Sequence, residues 1–419
     1  MAPPPFDLRV VTSLARDGRL LFVTRSLRLF GFGLVSVILV LYLSRLGFPE
    51  TKIGLLLTLT LVGDTVLSLL ITTKADRFGR RKMLLAGAAL LVLAGVVFGI
   101  AHDFWLLLAA ATIGVISPSG NEVGPFLSIE QASLAQIVPA DDRTAVFAWY
   151  NLAGSVATAA GALAGGGGAE LLQRRGWPVL PSFRAVILAY AAVGILLAAL
   201  FLLLTPAVEH RADGPSPAGP VLFGLHRSRT VVFKLSSLFA LDAFGGGFVV
   251  QGIAAYWFHV RYGASAGTLG AIFFGANILA GFSALTAASL ARRIGLIETM
   301  VVTHMPSNVL LILVPLMPTL PLATAVLLLR FAISQMDVPT RQSYTMAVVD
   351  PDERSAAAGI TGVARTAGAA LSPSLAGMLL AAPALTSVPF FCAGGLKLVY
   401  DGLLWRSFRA VHPPGSDGC

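Results

Sequence analysis

Lys74-Ala75-Asp76-Arg77-Phe78-Gly79-Arg80-Arg81-Lys82 is a dense block of charge set between two long apolar segments, roughly residues 52–73 and 84–101. Charge confined to so short a gap between two segments of membrane-crossing length must lie at a bilayer surface. Gly79 permits a tight turn there. Asp76 can cap the following helix or pair with a cation on a neighbouring one.

The rest of the chain supports this reading. Of its 419 residues 56% are hydrophobic and only 12% charged, with a mean hydropathy of +0.81. Soluble domains carry about 25% charged residues, so this chain cannot cover its apolar surface with water-facing side chains. The formal net charge of +9 does not imply nucleic acid. The bases sit in short gaps between apolar runs and suit anionic headgroups. Cys392 and Cys419 give no disulfide framework, and the Pro-rich start, Met1 to Gly18, lacks the apolar core of a cleavable signal.

Apolar runs occur near 22–44, 52–73, 84–101, 105–138, 144–170 and 182–205. They resume near 231–258, 266–290, 299–317, 320–349, 355–381 and 385–406. At about 20 residues per crossing these lengths predict an all-α integral membrane protein with twelve spans. With the N-terminus inside, 20 Lys and Arg fall on the inner side and 6 on the outer, so both termini are expected in the cytoplasm. Residues 206–230, with Pro206, Gly214-Pro215-Ser216-Pro217 and Gly219-Pro220, read as a cytoplasmic linker. The predicted organisation is a tail over 1–21, six-helix bundles over 22–205 and 231–409, and a tail over 410–419.

The two halves repeat. At an offset of 211, Gln131, Val138, Asp141 and Arg143 match Gln342, Val349, Asp352 and Arg354. At 214, Arg28-Leu-Phe-Gly31-Phe-Gly33 lies over Asp242-Ala-Phe-Gly245-Gly-Gly247, and Tyr42 over Tyr256. At 216, Ala291-Arg292-Arg293-Ile294-Gly295 is a worn copy of the opening block that has lost its Asp. A six-plus-six repeat is expected of a transporter that rocks two bundles about a central site.

Over roughly residues 15–410 the chain resembles a twelve-helix member of the major facilitator superfamily of secondary transporters. The resemblance rests on the repeat and on the helix 2–3 loop motif, in which Asp76, Arg77, Gly79, Arg80 and Arg81 are present. Thr72 and Lys74 replace the usual Gly and Leu. In that family this loop latches the cytoplasmic face and times the conformational change. The resemblance implies a small-molecule substrate, a monomer in a plasma or inner membrane, and contact with membrane lipids and protons. Proton-driven drug exporters often carry Gly-Pro-x-x-Gly-Gly in helix 5. Here Gly161-Ala162-Leu163-Ala164-Gly165-Gly166 keeps the glycines, which favour close helix packing. The Arg that exporters place in helix 4 is absent, with Ala110 at its position. An antiporter acting in efflux is the expectation. An importer, or a non-transporting sensor or lipid-handling protein on the same fold, stays open.

Charge inside an apolar span is costly and needs a reason. Asp64 lies in span 2, and Glu122 and Glu130 in span 4, which Pro118, Gly120, Gly124 and Pro125 interrupt and so break or kink. Asp242, Arg330, Asp337, Arg341, Arg365, Lys397 and Asp401 lie in second-half spans. Glu130 and Arg341 occupy equivalent repeat positions with opposite sign, as do Arg28 and Asp242. These four are predicted to be charge partners facing across a central pathway. Arg28 could instead snorkel to headgroups, Lys397 and Asp401 could form a local i,i+4 pair, and Arg330 and Arg365 could bind carbonyls or carboxylates in packing. Together Arg28, Asp64, Glu122, Glu130, Asp242, Asp337 and Arg341 are the expected substrate or proton pathway, with Glu122, Glu130 or Asp337 as proton carrier. Gly245, Gly246 and Gly247 are poor helix interiors and candidate hinges. The six scattered His show no metal spacing and no Gly-rich phosphate loop precedes a Lys-Ser/Thr pair. No enzyme activity, cofactor or metal is therefore expected.

Overall fold

The computed structural model describes residues 12, 14–120, 126–139, 142–209, 225, 227–350 and 353–409. The side chains of 72–74, 76, 77, 144 and 355 lie outside that description, as do Glu122 and Cys419. The described chain is helical. In order the helices are α1 (Arg16–Arg45), α2 (Glu50–Phe78), α3 (Arg80–Ile100), α4 (Phe104–Ile113), α5 (Phe126–Ile137), α6 (Arg143–Arg174) and α7 (Val179–Leu202). They continue as α8 (Arg229–Gly247), α9 (Gln251–Tyr262), α10 (Ala266–Ile294), α11 (Leu296–Leu313), α12 (Leu320–Ser334), α13 (Asp337–Ala347), α14 (Arg354–Leu380) and α15 (Val388–Phe408). Nine stretches among the described residues are long and apolar enough to cross a membrane, two of them joining consecutive helices, Arg229–Tyr262 and Leu320–Ala347. Large apolar side chains such as Ile195 and Leu196 are 61% and 51% exposed, which suits lipid and not water.

Two compact units emerge. The first holds Met1–Ala212 and Val250–Ile278, the second Asp213–Val249 and Leu279–Cys419. In the first, α1 is the centre: 83% of its apolar window is buried, against 33% for α2. It packs on α6, α7 and α9. Gln251 Nε2 donates to Ser36 Oγ at 2.7 Å and Tyr256 Oη to Glu50 Oε1 at 2.6 Å, which ties α9 to this unit. In the second unit α8 packs on α14 and α15, and α11 on α15. Phe239, Met300, Tyr344, Tyr400 and Leu404 form its apolar core.

The sequence repeat survives as repeated contacts. A Cβ on Gly33 would meet the Thr158 carbonyl oxygen of α6 at 2.2 Å, and a Cβ on Gly247 would meet the Ala369 carbonyl oxygen of α14 at 2.5 Å. Position 33 corresponds to 247 at offset 214, and 158 to 369 at offset 211. With no hydrophobic drive between helices in lipid, such backbone-close crossings supply the packing. Gly161 and Gly165 complete the first crossing, their Cβ positions 2.0 and 2.2 Å from the carbonyl oxygens of Phe30 and Leu34. Gly166 lies as close to Ala266 on α10. Gly245 and Gly246 face the Lys397 side chain. Gly247 ends α8, and α9 begins only at Gln251.

The opening charged block is less of a loop than its composition suggests. Helix α2 runs on through Phe78, and α3 starts at Arg80. Only Gly79 separates them, at φ +102°, a value that L side chains avoid. Gly295 repeats the device between α10 and α11 at φ +94°.

Candidate functional site

Broken helices position the buried charges. Between α4 and α5 the backbone leaves the helix at Gly114, and Gly120 turns it at φ +71°. Irregular backbone at membrane depth needs outside partners, and it has them. Tyr190 Oη donates to the Val115 carbonyl at 2.6 Å, Thr158 Oγ1 to the Gly120 carbonyl at 3.3 Å, and the Gly252 N–H to the Pro118 carbonyl at 3.0 Å. The second unit is also interrupted, just before α13: α12 ends at Ser334, and the Gln335 N–H donates to Ser283 Oγ at 3.2 Å. Offset by 211, Phe126 at the start of α5 matches Asp337 at the start of α13. Paired interruptions in two repeats are where transporters of this architecture build their sites.

On α5, Glu130 is fully buried and grips an equally buried Arg28 of α1 through two parallel bonds, Nη1 to Oε1 at 2.7 Å and Nη2 to Oε2 at 2.8 Å. Tyr150 Oη donates to Oε2 at 2.6 Å and Thr24 Oγ1 to Oε1 at 3.1 Å. The Arg28 guanidinium also stacks over Phe126 at 4.6 Å. Beside it, Arg25 donates to Asn151 Oδ1 at 3.2 Å and lies 4.3 Å over the Tyr150 ring. Arg28 therefore does not snorkel. Its depth in the fold puts a counter-charge closer than any headgroup.

The second unit carries the same pair with its polarity inverted. Asp242 on α8 takes the place of Arg28, and Arg341 on α13 that of Glu130. Arg341 Nη1 lies 3.3 Å from Asp242 Oδ2 and 3.0 Å from Asp337 Oδ2. Lys397 Nζ donates to Asp242 Oδ1 at 2.6 Å. His304 of α11 sits between two carboxylates, Nδ1 2.8 Å from Asp401 Oδ1 and Nε2 3.7 Å from Asp242 Oδ1. Asn308 Nδ2 donates to Asp401 Oδ2 at 2.9 Å. All of these groups are buried.

Two sequence expectations are corrected here. Each predicted charge has its partner in its own half, Arg28 with Glu130 and Asp242 with Arg341, where the equivalent-position argument sought it in the other. Within one half, the first helix and the broken helix bring those positions together directly. Lys397 and Asp401 do not form a local pair either. They reach separately to Asp242 and to His304 with Asn308, because both point into the α8–α11 core. Asp64 stands apart on α2, half-buried, 3.4 Å from Ser68 Oγ. The Nε atoms of Arg330 and Arg365 are buried without an acceptor.

Sequence reasoning missed His304, Asn308 and Glu209. His304 and Asn308 are two polar residues four apart in an apolar run, a pattern legible as one helix face. Glu209 was hidden in the linker. Its carboxylate accepts from the Arg80 and Arg81 N–H groups at 2.6 and 3.3 Å, capping α3. Arg80 Nη1 adds bonds to Gln136 Oε1 at 3.1 Å and the Val208 carbonyl at 3.3 Å, and Arg81 Nη2 one to the Leu202 carbonyl at 2.7 Å.

Apolar helices with lipid-suited exteriors, an interrupted span in each unit and buried ion pairs define a multi-pass membrane protein built for transport. The chain belongs to the Major Facilitator Superfamily, whose family model matches residues 21–373. It is 32% identical to the uncharacterized membrane protein YJR124C of Saccharomyces cerevisiae (strain ATCC 204508 / S288c) over 426 residues, 95% of each chain. It is 24% identical over 357 residues to the uncharacterized MFS-type transporter YtbD of Bacillus subtilis (strain 168), covering 84% of this chain and 85% of the relative. The crystal structure of the nucleoside transporter NupG superposes with a TM-score of 0.71 at 14% identity, over 94% of this chain and 99% of that one. At that identity the likeness is one of fold. The placement makes the chain a transmembrane transport protein.

Proposed function

We propose that the chain is a twelve-span, proton-coupled secondary transporter that exports a small molecule, working as a monomer with both termini in the cytoplasm. One observation carries the coupling: His304 lies between Asp401 and Asp242, and Asp242 is also held by Lys397 and Arg341. An imidazole can accept a proton on one nitrogen and donate from the other, so the three residues form a relay. A proton reaching Asp242 would cancel the charge that holds Lys397 and Arg341. Breaking buried ion pairs is a large free-energy change, enough to favour one conformation over another. Asp337, which shares Arg341, is the most suitable of the three carriers expected from sequence. Glu130, gripped by Arg28, Tyr150 and Thr24, is better suited to holding α1 to α5.

The capped junction at Gly79, with Arg80 and Arg81 bound to the 202–209 segment, suits a latch on the cytoplasmic side. Asp76 and Arg77 belong to that proposal by their place in the motif. Export as the direction rests on Gly161, Gly165 and Gly166, whose spacing resembles the helix 5 motif of proton-driven exporters and which form close helix crossings here. The positive-inside count supports the cytoplasmic termini and is in keeping with a plasma or inner membrane.

The test is flux from proteoliposomes loaded with a metabolite library, read by mass spectrometry with and without an imposed pH gradient. Wild-type protein should move a subset of compounds against their gradient, and a protonophore should stop it. Asp242→Asn and His304→Gln should retain exchange without the gradient while losing accumulation. Accumulation that survives in both variants would sink the relay. Binding without any flux would favour the sensor reading.

A further inference from the structure

The charge around Asp242 does not balance. Buried Arg341 and Lys397 and part-buried Arg330 and Arg365 stand against three carboxylates, Asp242, Asp337 and Asp401, leaving one cation in excess before His304 is counted; another buried carboxylate of the unit, Glu353, is taken up by the Arg227 and Ser228 N–H groups. The carboxylates are engaged already, Asp242 by Lys397 and Arg341, Asp337 by Arg341, and Asp401 by His304 and Asn308. Arg330 lies within electrostatic range of Asp242 and Asp337, and Arg365 within range of those two and of Arg341 itself. Yet the Nε–H of each is buried with no acceptor. Two like-charged guanidinium groups, Arg341 and Arg365, thus share one low-dielectric region, where their repulsion is weakly screened.

A buried guanidinium donor left unbonded is costly and calls for an explanation. The planar fork of Arg fits a carboxylate or phosphate through two parallel bonds. Depth argues for a soluble anion over a lipid headgroup. Arg365 is eleven residues from the first residue of α14 and fifteen from its last, about 16 Å along the axis at 1.5 Å per residue. Arg330 is likewise ten residues into α12, with α13 following.

We propose that Arg365, with Arg330, is the recognition site for an anionic group, a carboxylate or a phosphate, on the transported molecule. This rests on the transporter reading but not on the proton relay.

The test is thermal unfolding of the purified full chain in neutral detergent, titrated with inorganic phosphate, acetate and citrate at constant ionic strength, with choline chloride as control. At least one anion should raise the midpoint in a saturable way. In Arg365→Gln its apparent affinity should fall about tenfold or more, as the loss of a charge-assisted hydrogen bond implies. Arg330→Gln should act in the same sense, and Arg365→Lys should retain part of the response. Because the Arg365 Nε has no acceptor to lose and the guanidinium is repelled by Arg341, the ligand-free midpoint of Arg365→Gln should match or exceed the wild-type value, so a poorly folded variant is recognisable and Arg330→Gln then decides. No anion response beyond chloride, or the same response in both Gln variants, overturns the proposal. Stabilisation by added phosphatidylglycerol alone, lost in Arg365→Gln, also overturns it by assigning the site to lipid. Anion binding without proton-driven flux would fail the relay and leave this site standing, and the reverse result would do the opposite.

Discussion

Exchanging the charges of the Arg28–Glu130 pair asks whether the inverted polarity of the two units is the same device used twice. In Arg28→Asp the first helix carries the acid, as α8 does at Asp242. In Glu130→Arg the broken helix carries the base, as α13 does at Arg341. Either single change leaves two like charges facing each other in a site with 0% exposure on both sides. Breaking a buried pair from one side costs about 3–5 kcal/mol. Here the loss lies at the upper end, because Glu130 also gives up the bonds from Tyr150 and Thr24. The double exchange restores opposite charges across the same gap. Tyr150 can turn its oxygen into an acceptor for the new Arg, so at least about 2 kcal/mol should return as coupling between the sites. The assay is reversible unfolding in mixed micelles for wild type, both singles and the double. Singles within about 1 kcal/mol of wild type would show that the pair is not a structural clamp. A double equal to the sum of the singles would refute the equivalence of the two units.

Further outcomes follow from the geometry and from the charged motif. Gly161→Leu should prevent α1 and α6 from closing and abolish folded protein on size-exclusion chromatography. Gly167→Ala and Gly168→Ala, where a Cβ meets nothing within 4 Å, should elute as wild type. Glu209→Gln should weaken the cap on α3 by about 0.5–2 kcal/mol and slow turnover in vesicles without reducing membrane insertion. Asp76→Asn should slow turnover while leaving substrate binding intact, and an unchanged rate would reduce the Lys74–Lys82 block to a topology signal. Asn308→Ala should lower the unfolding free energy through the unsatisfied Asp401 oxygen, by about 1–3 kcal/mol.

The sequence carried the architecture further than the site. Apolar length and the Lys/Arg asymmetry pointed to the membrane, and the repeat forecast equivalences that reappear as contacts, Gly33 with Thr158 and Gly247 with Ala369. Pro118 and Gly120 marked the broken span, since neither suits a helix interior. Pairing was not legible. Knowing that Arg28 and Asp242 were equivalent, and Glu130 and Arg341 likewise, did not say which helices would touch, because that depends on how α1 lies against α5. His304 has no metal-ligand spacing to mark it, and its role comes from being a polar group in an apolar helix that faces Asp401. Glu209 sits in a Pro-rich segment whose composition says only that the chain turns there. It becomes a cap through the position of α3, which no local pattern encodes.

Proton movement itself tests the central claim most directly. A compound that moves in the flux screen would be placed on one side of vesicles holding a pH-sensitive dye, with no pH gradient imposed. Proton coupling through Asp242 and His304 predicts that the compound's own gradient drives an opposing proton flux and changes the internal pH, and that Asp242→Asn abolishes the pH change while exchange persists. Substrate flux with no change in internal pH would contradict it.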